Sequence, residues 1–249
     1  MYQFFIEDEN AAEDFVTIEG SDVNHIKNVL RMKPGEKIRV CTRNGQNYFC
    51  SISDITESFV RADILEKEAE STELPCRIYL FQGLPKNDKM EWIIQKTVEL
   101  GVYEVIPVAM KNCVVKLDDK KAKSKVMRWQ AIAESAAKQS KRSLIPEVKL
   151  PMSYKEAVAY AKELDVKLVP YENEHGMAGT KAAMEQIKKG ESIAVFIGPE
   201  GGFAPEEIAL VQDEMQLISL GKRILRTETA GIAALAILGY QLESSDMIE

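Results

Sequence analysis

A small β-barrel or sandwich joined to a larger α/β domain with a parallel sheet is the fold class that this 249-residue sequence predicts. Three observations carry it. The first seventy or so positions hold short β-prone runs broken by turn residues. From Pro75 onward, apolar strand-like runs alternate with stretches of helical periodicity. A charged polar run, Glu66 to Glu73, separates the two and reads as a linker, giving parts at 1–72 and 73–249.

In the first part the strands are expected at Gln3–Ile6, Phe15–Ile18, Lys37–Cys41, Tyr48–Ile52 and Phe59–Leu65. Turns at Lys33-Pro34-Gly35 and Arg43-Asn44-Gly45 punctuate them. One short helix is expected at Asp22–Arg31, with Ser21 as its cap. The second part opens on the strand Ile78-Tyr79-Leu80-Phe81. Met90, Ile93, Ile94, Thr97 and Val98 then recur at helical spacing, with Gly101 as the stop. Val105–Val108 is the next strand. Val126, Trp129, Ile132, Ala133, Ala136 and Ala137 line one helix face, and Tyr154, Ala157, Val158, Ala161 and Leu164 another. Strands at Val166–Val169, Ile193–Ile197 and Leu217–Leu220 follow, each with a helical segment after it. Continuous apolar strands between helices imply a parallel sheet covered on both faces. The last helix, Thr229 to Gly239, is apolar all round and rich in small residues, which predicts burial on most sides.

Composition narrows the class. Hydrophobic residues make up 45% and charged residues 29%, as in an ordinary globular protein, and no apolar run is long enough to span a bilayer. The opening residues lack the basic stretch of a signal peptide, so a cytoplasmic protein is expected. Cys41, Cys50, Cys76 and Cys113 form no C-x-x-C pair, and with two histidines they predict no metal site; a Cys41–Cys50 disulfide stays open. The net charge of −7 does not favour nucleic acid, but Lys116 to Lys149 carries ten basic residues against four acids. That segment is either a solvated helix face or a phosphate-binding footprint.

Open parallel sheets bind ligands at the carboxyl ends of their strands. Three such ends carry distinctive loops: Val169-Pro170-Tyr171-Glu172, Ile197-Gly198-Pro199-Glu200-Gly201-Gly202-Phe203, and Leu220-Gly221-Lys222-Arg223-Ile224-Leu225-Arg226-Thr227-Glu228. The second is neither a P-loop nor a G-x-G-x-x-G turn, yet its glycines let backbone approach a ligand such as an adenine or a ribose. A strand–turn–helix connection without ligand is the plainer alternative. The third gathers three cations, which either pair with Glu200 and Glu228 or face RNA phosphates. Neither His25, on a helix face, nor His175, in the polar turn Glu172-Asn173-Glu174-His175-Gly176, belongs to a nucleophile set.

With these loops the sequence closely resembles the ribosomal small-subunit methyltransferase E family of the SPOUT superfamily. Besides the second and third loops, the matching stretches are Leu84-Pro85-Lys86 with Lys89-Met90, Gln95 to Gly101, Arg128-Trp129-Gln130, His25-Ile26 and Val29-Leu30-Arg31-Met32 with Pro34-Gly35. The likeness runs over nearly the whole chain. It departs at Tyr2-Gln3-Phe4-Phe5, where the family often has arginine, and at Lys141-Arg142, where a glycine commonly follows Gln-Ser.

The resemblance implies a PUA-like amino-terminal β-barrel that binds RNA, and a SPOUT-type parallel sheet ending in a trefoil knot. It also implies a homodimer that methylates N3 of one uridine in 16S rRNA of the small ribosomal subunit. The donor, S-adenosylmethionine, is expected on Val169, Pro170 and Glu172, on Ile197 through Gly202, and on Leu220, Gly221 and Ile224 through Thr227. Arg226 is the first choice for the cation that stabilises the uridine anion and Arg142 the second, with Glu228 orienting the arginine. A methyltransferase of this superfamily acting on another rRNA or tRNA nucleotide is the alternative. A nucleotide-dependent oxidoreductase would need a glycine fingerprint where Gln82-Gly83-Leu84-Pro85-Lys86 stands. A non-catalytic RNA-binding protein would have no use for intact donor loops.

Overall fold

A computed structural model gives the fold of residues 1–68, 71–174 and 176–245. Ala69 and Glu70 of the expected linker, and His175 of the polar turn, lie outside the described residues. The chain forms two compact units, residues 1–73 with 137–145, and residues 74–136 with 146–249.

In the first unit, β1 (Tyr2–Ile6), β2 (Phe15–Glu19), α1 (Ser21–Asn24), β3 (Lys37–Thr42), β4 (Asn47–Ile55) and β5 (Phe59–Glu68) follow in order. They form one sheet in the order β1-β3-β4-β5-β2, in which only the β1–β3 pair is parallel. Irregularities at Phe49/Cys50 and Ile52/Asp54 bend β4 against β5, as bulges do. Phe4, Val16, Ile18, Ile38, Val40, Ile52 and Val60 fill the inside. The expected helix is shorter than its pattern. It runs on from α1 as a π turn, His25–Val29, in which Leu30 N–H donates to the His25 carbonyl at 2.9 Å. Ser21 is not its cap: the helix begins on Ser21 itself, Gly20 takes the cap position, and no side chain accepts there. All four cysteines are free and buried, and burial pushes the Cys41 and Cys50 thiols up to about 12, so neither is a ready nucleophile.

The segment 137–145 is tied into this unit by polar contacts. Lys138 Nζ reaches Asp22 at 3.0 Å, Lys141 Nζ donates to the Met1 carbonyl at 2.6 Å, and Asn47 Nδ2 donates to Ser143 Oγ at 2.8 Å. Gln3 is buried and donates to the Arg142 carbonyl at 2.6 Å. The carboxyl end of the basic footprint is therefore spent largely on internal contacts. Lys116, Lys120 and Lys123, by contrast, are exposed and form no ion pair among the described residues.

The second unit contains β6 (Arg77–Gly83), α2 (Lys89–Glu99), β7 (Val102–Ala109) and α3 (Asp119–Ser140), the last ending within the first unit. It continues with β8 (Glu147–Val148), β9 (Met152–Ser153), α4 (Tyr154–Ala161), β10 (Val166–Pro170) and α5 (Ala178–Glu185). Then come β11 (Ser192–Ile197), α6 (Pro205–Val211), β12 (Gln216–Ile218) and α7 (Thr227–Ser245). The sheet order is β12-β10-β11-β6-β7-β8, with β9 also on β7, and every pair is parallel. Ile78, Leu80, Phe81, Ile193, Val195 and Phe196 are fully buried, and Phe81 stacks on Phe196 with ring centroids 4.4 Å apart. Helix α7 buries Ala234, Leu235, Leu238 and Leu242 and packs on α2, β6 and β11. Burying each leucine contributes about 1.5–3 kcal/mol. Its other side, with Thr229, Ala236 and Tyr240, is exposed, so the expectation of burial on most sides holds for one face.

Candidate active site

Because β12, β10 and β11 are neighbours, their carboxyl ends lie side by side, and the three loops after them meet in one cleft of about 590 Å³. That volume is in the range of sites for nucleoside-sized ligands. Pro170 and Glu172 line it from the first loop, Ile197 to Glu200 and Gly202 from the second, and Leu220, Gly221 and Ile224 to Thr227 from the third. Two residues expected there do not line it: Val169 is fully buried in β10, and Gly201 faces Asn112 instead.

Local chemistry fixes the second loop. Gly202 has φ +66, which L side chains rarely adopt, and a Cβ there would stand 3.4 Å from Glu172 Oε1. Asn112 Nδ2 donates to the carbonyls of Gly201 and Gly202 at 3.0 and 3.2 Å. Ala204 offers α6 no capping side chain, but Glu207 compensates: its carboxylate accepts from the N–H of Ala204 and of Lys111, both at 2.8 Å. On the far side, a Cβ on Gly83 would lie 2.7 Å from the Pro199 nitrogen, so β6 and this loop touch backbone to backbone.

A relay of hydrogen bonds then joins α7 to two strand ends. Thr227 Oγ1 donates to the Gly198 carbonyl at 2.6 Å and accepts from Gln82 Nε2 at 2.9 Å. Gln82 and Thr227 are both buried.

The charged groups are arranged differently from expectation. Lys89 Nζ lies 3.0 Å from Glu200 Oε1 and 3.2 Å from Glu228 Oε2, and Glu200 Oε1 also accepts from Lys86 N–H at 3.0 Å. The hydrogen bond to Glu200 holds the Lys89 ammonium above its ordinary value. Burial pushes the Glu200 carboxyl up, but hydrogen bonds from its own N–H, Lys89 and Lys86 outweigh this and leave it below the usual range. Glu228 therefore faces Lys89 rather than Arg226. Arg226, whose carbonyl accepts from Ala230 N–H at 2.8 Å, sits at the cap of α7 with its side chain exposed on the cleft. Residues two apart at a helix start do not face each other, which explains the missing pair.

Arg142, the second choice for a catalytic cation, belongs to the other unit. It is 4% exposed and its guanidinium pairs with Glu73, which neutralises it internally. Beyond the expected donor set, the cleft is also lined by Lys89, from the first turn of α2, by Ser219 and Ala230, and by Tyr171, Glu174, Phe203, Lys222 and Arg223 of the same loops. Lys89-Met90 is one of the matching stretches, a signal in the sequence that carries no role by itself.

Residues 72–239 match the RNA methyltransferase domain model, and residues 18–65 match the RNA methyltransferase PUA domain. The ribosomal RNA small subunit methyltransferase E of Bacillus subtilis (strain 168) is 39% identical over 98% of this chain and 98% of its own length. The chain belongs to the ribosomal RNA small subunit methyltransferase E family. A second relative with this name, from Mesomycoplasma hyopneumoniae (strain 232), is 36% identical over 93% of this chain and 96% of its own. A solved family structure from Neisseria gonorrhoeae, bound to S-adenosyl methionine, superposes with a TM-score of 0.84 at 32% identity, covering 96% of this chain and 97% of that one. Among the described residues of this family member no helix is long and apolar enough to cross a membrane, and no cluster of His, Cys, Asp and Glu could hold a metal ion.

Proposed function

We propose that this chain transfers the methyl group of S-adenosylmethionine to N3 of one uridine in 16S rRNA of the small ribosomal subunit. It would act in the cytoplasm as a homodimer, with the PUA-like unit as an RNA grip and the α7 region threaded as a trefoil knot. The observation that carries the reading is the meeting of three neighbouring strand-end loops in one backbone-lined cleft. The residues present fit the donor: Gly198 and Gly202 offer backbone without side chain, Glu172 offers a carboxylate to hydroxyl groups, and Thr227 is fixed by Gln82. The exposed apolar side of α7, with Ala236 and Tyr240, supports a subunit contact, which for an obligate dimer buries at least about 2,000 Å² in total.

When bound, S-adenosylmethionine supplies a methyl group already activated by its sulfonium charge. The chain has two remaining tasks, to orient N3 towards that methyl and to favour the deprotonated base. Uridine N3 is a poor nucleophile until its proton leaves for solvent. As the N–H bond is lost, negative charge spreads over the ring, and Arg226 stabilises it from the rim of the cleft. Lys89 holds Glu228 and Glu200, keeping both carboxylates from neutralising that guanidinium. Calorimetric titration of the purified chain with S-adenosylmethionine tests the donor site. One-site binding is expected, and its absence would return the chain to a plain RNA-binding protein.

A further inference from the structure

Ile224 is 85% exposed, the most exposed of the large hydrophobic side chains among the described residues. A single exposed isoleucine is ordinary on a protein surface. Its surroundings here are not. Lys222 and Arg223 precede it, Arg226 follows, all three are exposed, and none forms an ion pair among the described residues. They also stand just before Thr227, where the 19-residue α7 begins. The positive end of a helix dipole disfavours cations, so the protein keeps three charges where its own fold gains nothing from them. The one acid of that first turn, Glu228, is taken by Lys89. The same cleft is lined by the exposed acids Glu172 and Glu174 from the loop after β10, so it carries a cationic loop and an anionic one.

We infer that residues 222–226 are the edge that receives the target RNA strand, with Lys222 and Arg223 on backbone phosphates beside the reacting nucleotide and the Ile224 side chain packed on its exposed base or sugar. This rests on the methyl-transfer reading. A base that is to be alkylated at N3 must leave its stack and pairing, which bares an apolar face. An aliphatic side chain offered to solvent covers such a face without demanding a sequence, while phosphates are held by charge. Glu172 and Glu174 repel phosphate, which favours the cationic loop as the place for the strand. Ile224 lines the cleft and is 85% exposed, so most of its surface is left for a second ligand beside the donor.

The test measures binding of an unmodified 16S rRNA transcript by fluorescence anisotropy across salt, beside calorimetry with S-adenosylmethionine, for three proteins. Lys222→Ala with Arg223→Ala should lower the slope of log affinity against log salt by about 1.4, at roughly 0.7 per single-strand phosphate contact. Ile224→Ala should weaken RNA binding about tenfold at unchanged slope, the loss expected for an apolar side chain that no longer covers the base. Donor affinity should stay within about twofold of the parent in the double variant. A parent-like slope in the double variant overturns the phosphate assignment. Weaker donor binding by Ile224→Ala makes that side chain a donor contact, and loss of the dimer in light scattering makes it a subunit contact; either result overturns the proposal. If the parent protein binds no S-adenosylmethionine, the methyl-transfer reading itself fails, a result separate from any of these.

Discussion

Lys89 Nζ lies 3.2 Å from Glu228 Oε2, and this pair, rather than one between Arg226 and Glu228, neutralises the first turn of α7. Because Glu200 shares the same ammonium, one side chain from α2 braces both the loop after β11 and the start of the last helix. Replacing Lys89 with methionine should raise the KM for S-adenosylmethionine about five- to tenfold, the effect of roughly one lost ordinary hydrogen bond, because the pair is partly exposed. Single-turnover rate at saturating donor should change little. Lys89→Arg should recover most of the affinity. A rate loss that saturating donor does not repair would move Lys89 from bracing into the chemistry.

The electrostatic role proposed for Arg226 has a direct kinetic test. Arg226→Ala should lower the single-turnover methylation rate about 100-fold or more on saturating ribosomal substrate, with donor affinity nearly unchanged, as for loss of one preorganised stabiliser. A near-normal rate would leave the arginine as scaffold.

The Lys89–Glu200 tie also fixes an expectation for pH. Glu200 is held below its ordinary value of 4.5 in the folded protein, so its contribution is present above that value and is lost as the pH falls through the folded one. Lys89 is held above its ordinary 10.5, so its contribution is present below that value and is lost only as the pH rises through the folded one. The tie is intact across the whole neutral range. Donor affinity should therefore be flat from about pH 6 to 9, while the methylation rate rises as the N3 proton becomes easier to lose. Calorimetry and single-turnover rates at matched pH check this, and the rise should persist in Lys89→Met. A donor affinity that follows the rate with pH would contradict it.

Gly83 is required for close approach rather than for a turn. A methyl group in place of its hydrogen would meet the Pro199 nitrogen at 2.7 Å and the Gly198 carbonyl carbon at 3.0 Å, both backbone atoms that cannot rotate away. Gly83→Ala should destabilise the protein by about 1–3 kcal/mol, as overpacking does, and weaken donor binding by displacing residues 198–199. Denaturant unfolding together with calorimetry measures both, and a variant with parental stability and affinity would show that the loop yields freely.

Much of this site is legible in the sequence because its parts are local. Each of the three loops directly follows an apolar strand, and neighbouring parallel strands bring their ends together by topology alone. What is not legible depends on distant partners. Lys89 reaches Glu200 and Glu228 from another helix, and no periodicity links them. Arg142 looks like a free cation beside Lys141 until Glu73 is seen against it. The strand expected at Leu217–Leu220 stops at Ile218 because the buried Thr180 hydroxyl captures both the N–H and the carbonyl of Ser219, at 3.0 and 2.9 Å. Ser21 has the right chemistry for a cap, but the chain enters α1 one residue earlier, through Gly20 at φ +70. The strands β8 and β9 are two residues long each, too short to leave a pattern.

Nucleoside mass mapping decides whether the methyl group goes to uridine N3 of 16S rRNA. Small ribosomal subunits from a strain deleted for this gene would be incubated with the purified chain and S-adenosylmethionine, and the 16S rRNA digested and mapped. N3-methyluridine is expected at a single position, absent before incubation and absent with Arg226→Ala on the same timescale. A methyl group on any other atom or RNA, or none at all with active donor binding, would contradict it.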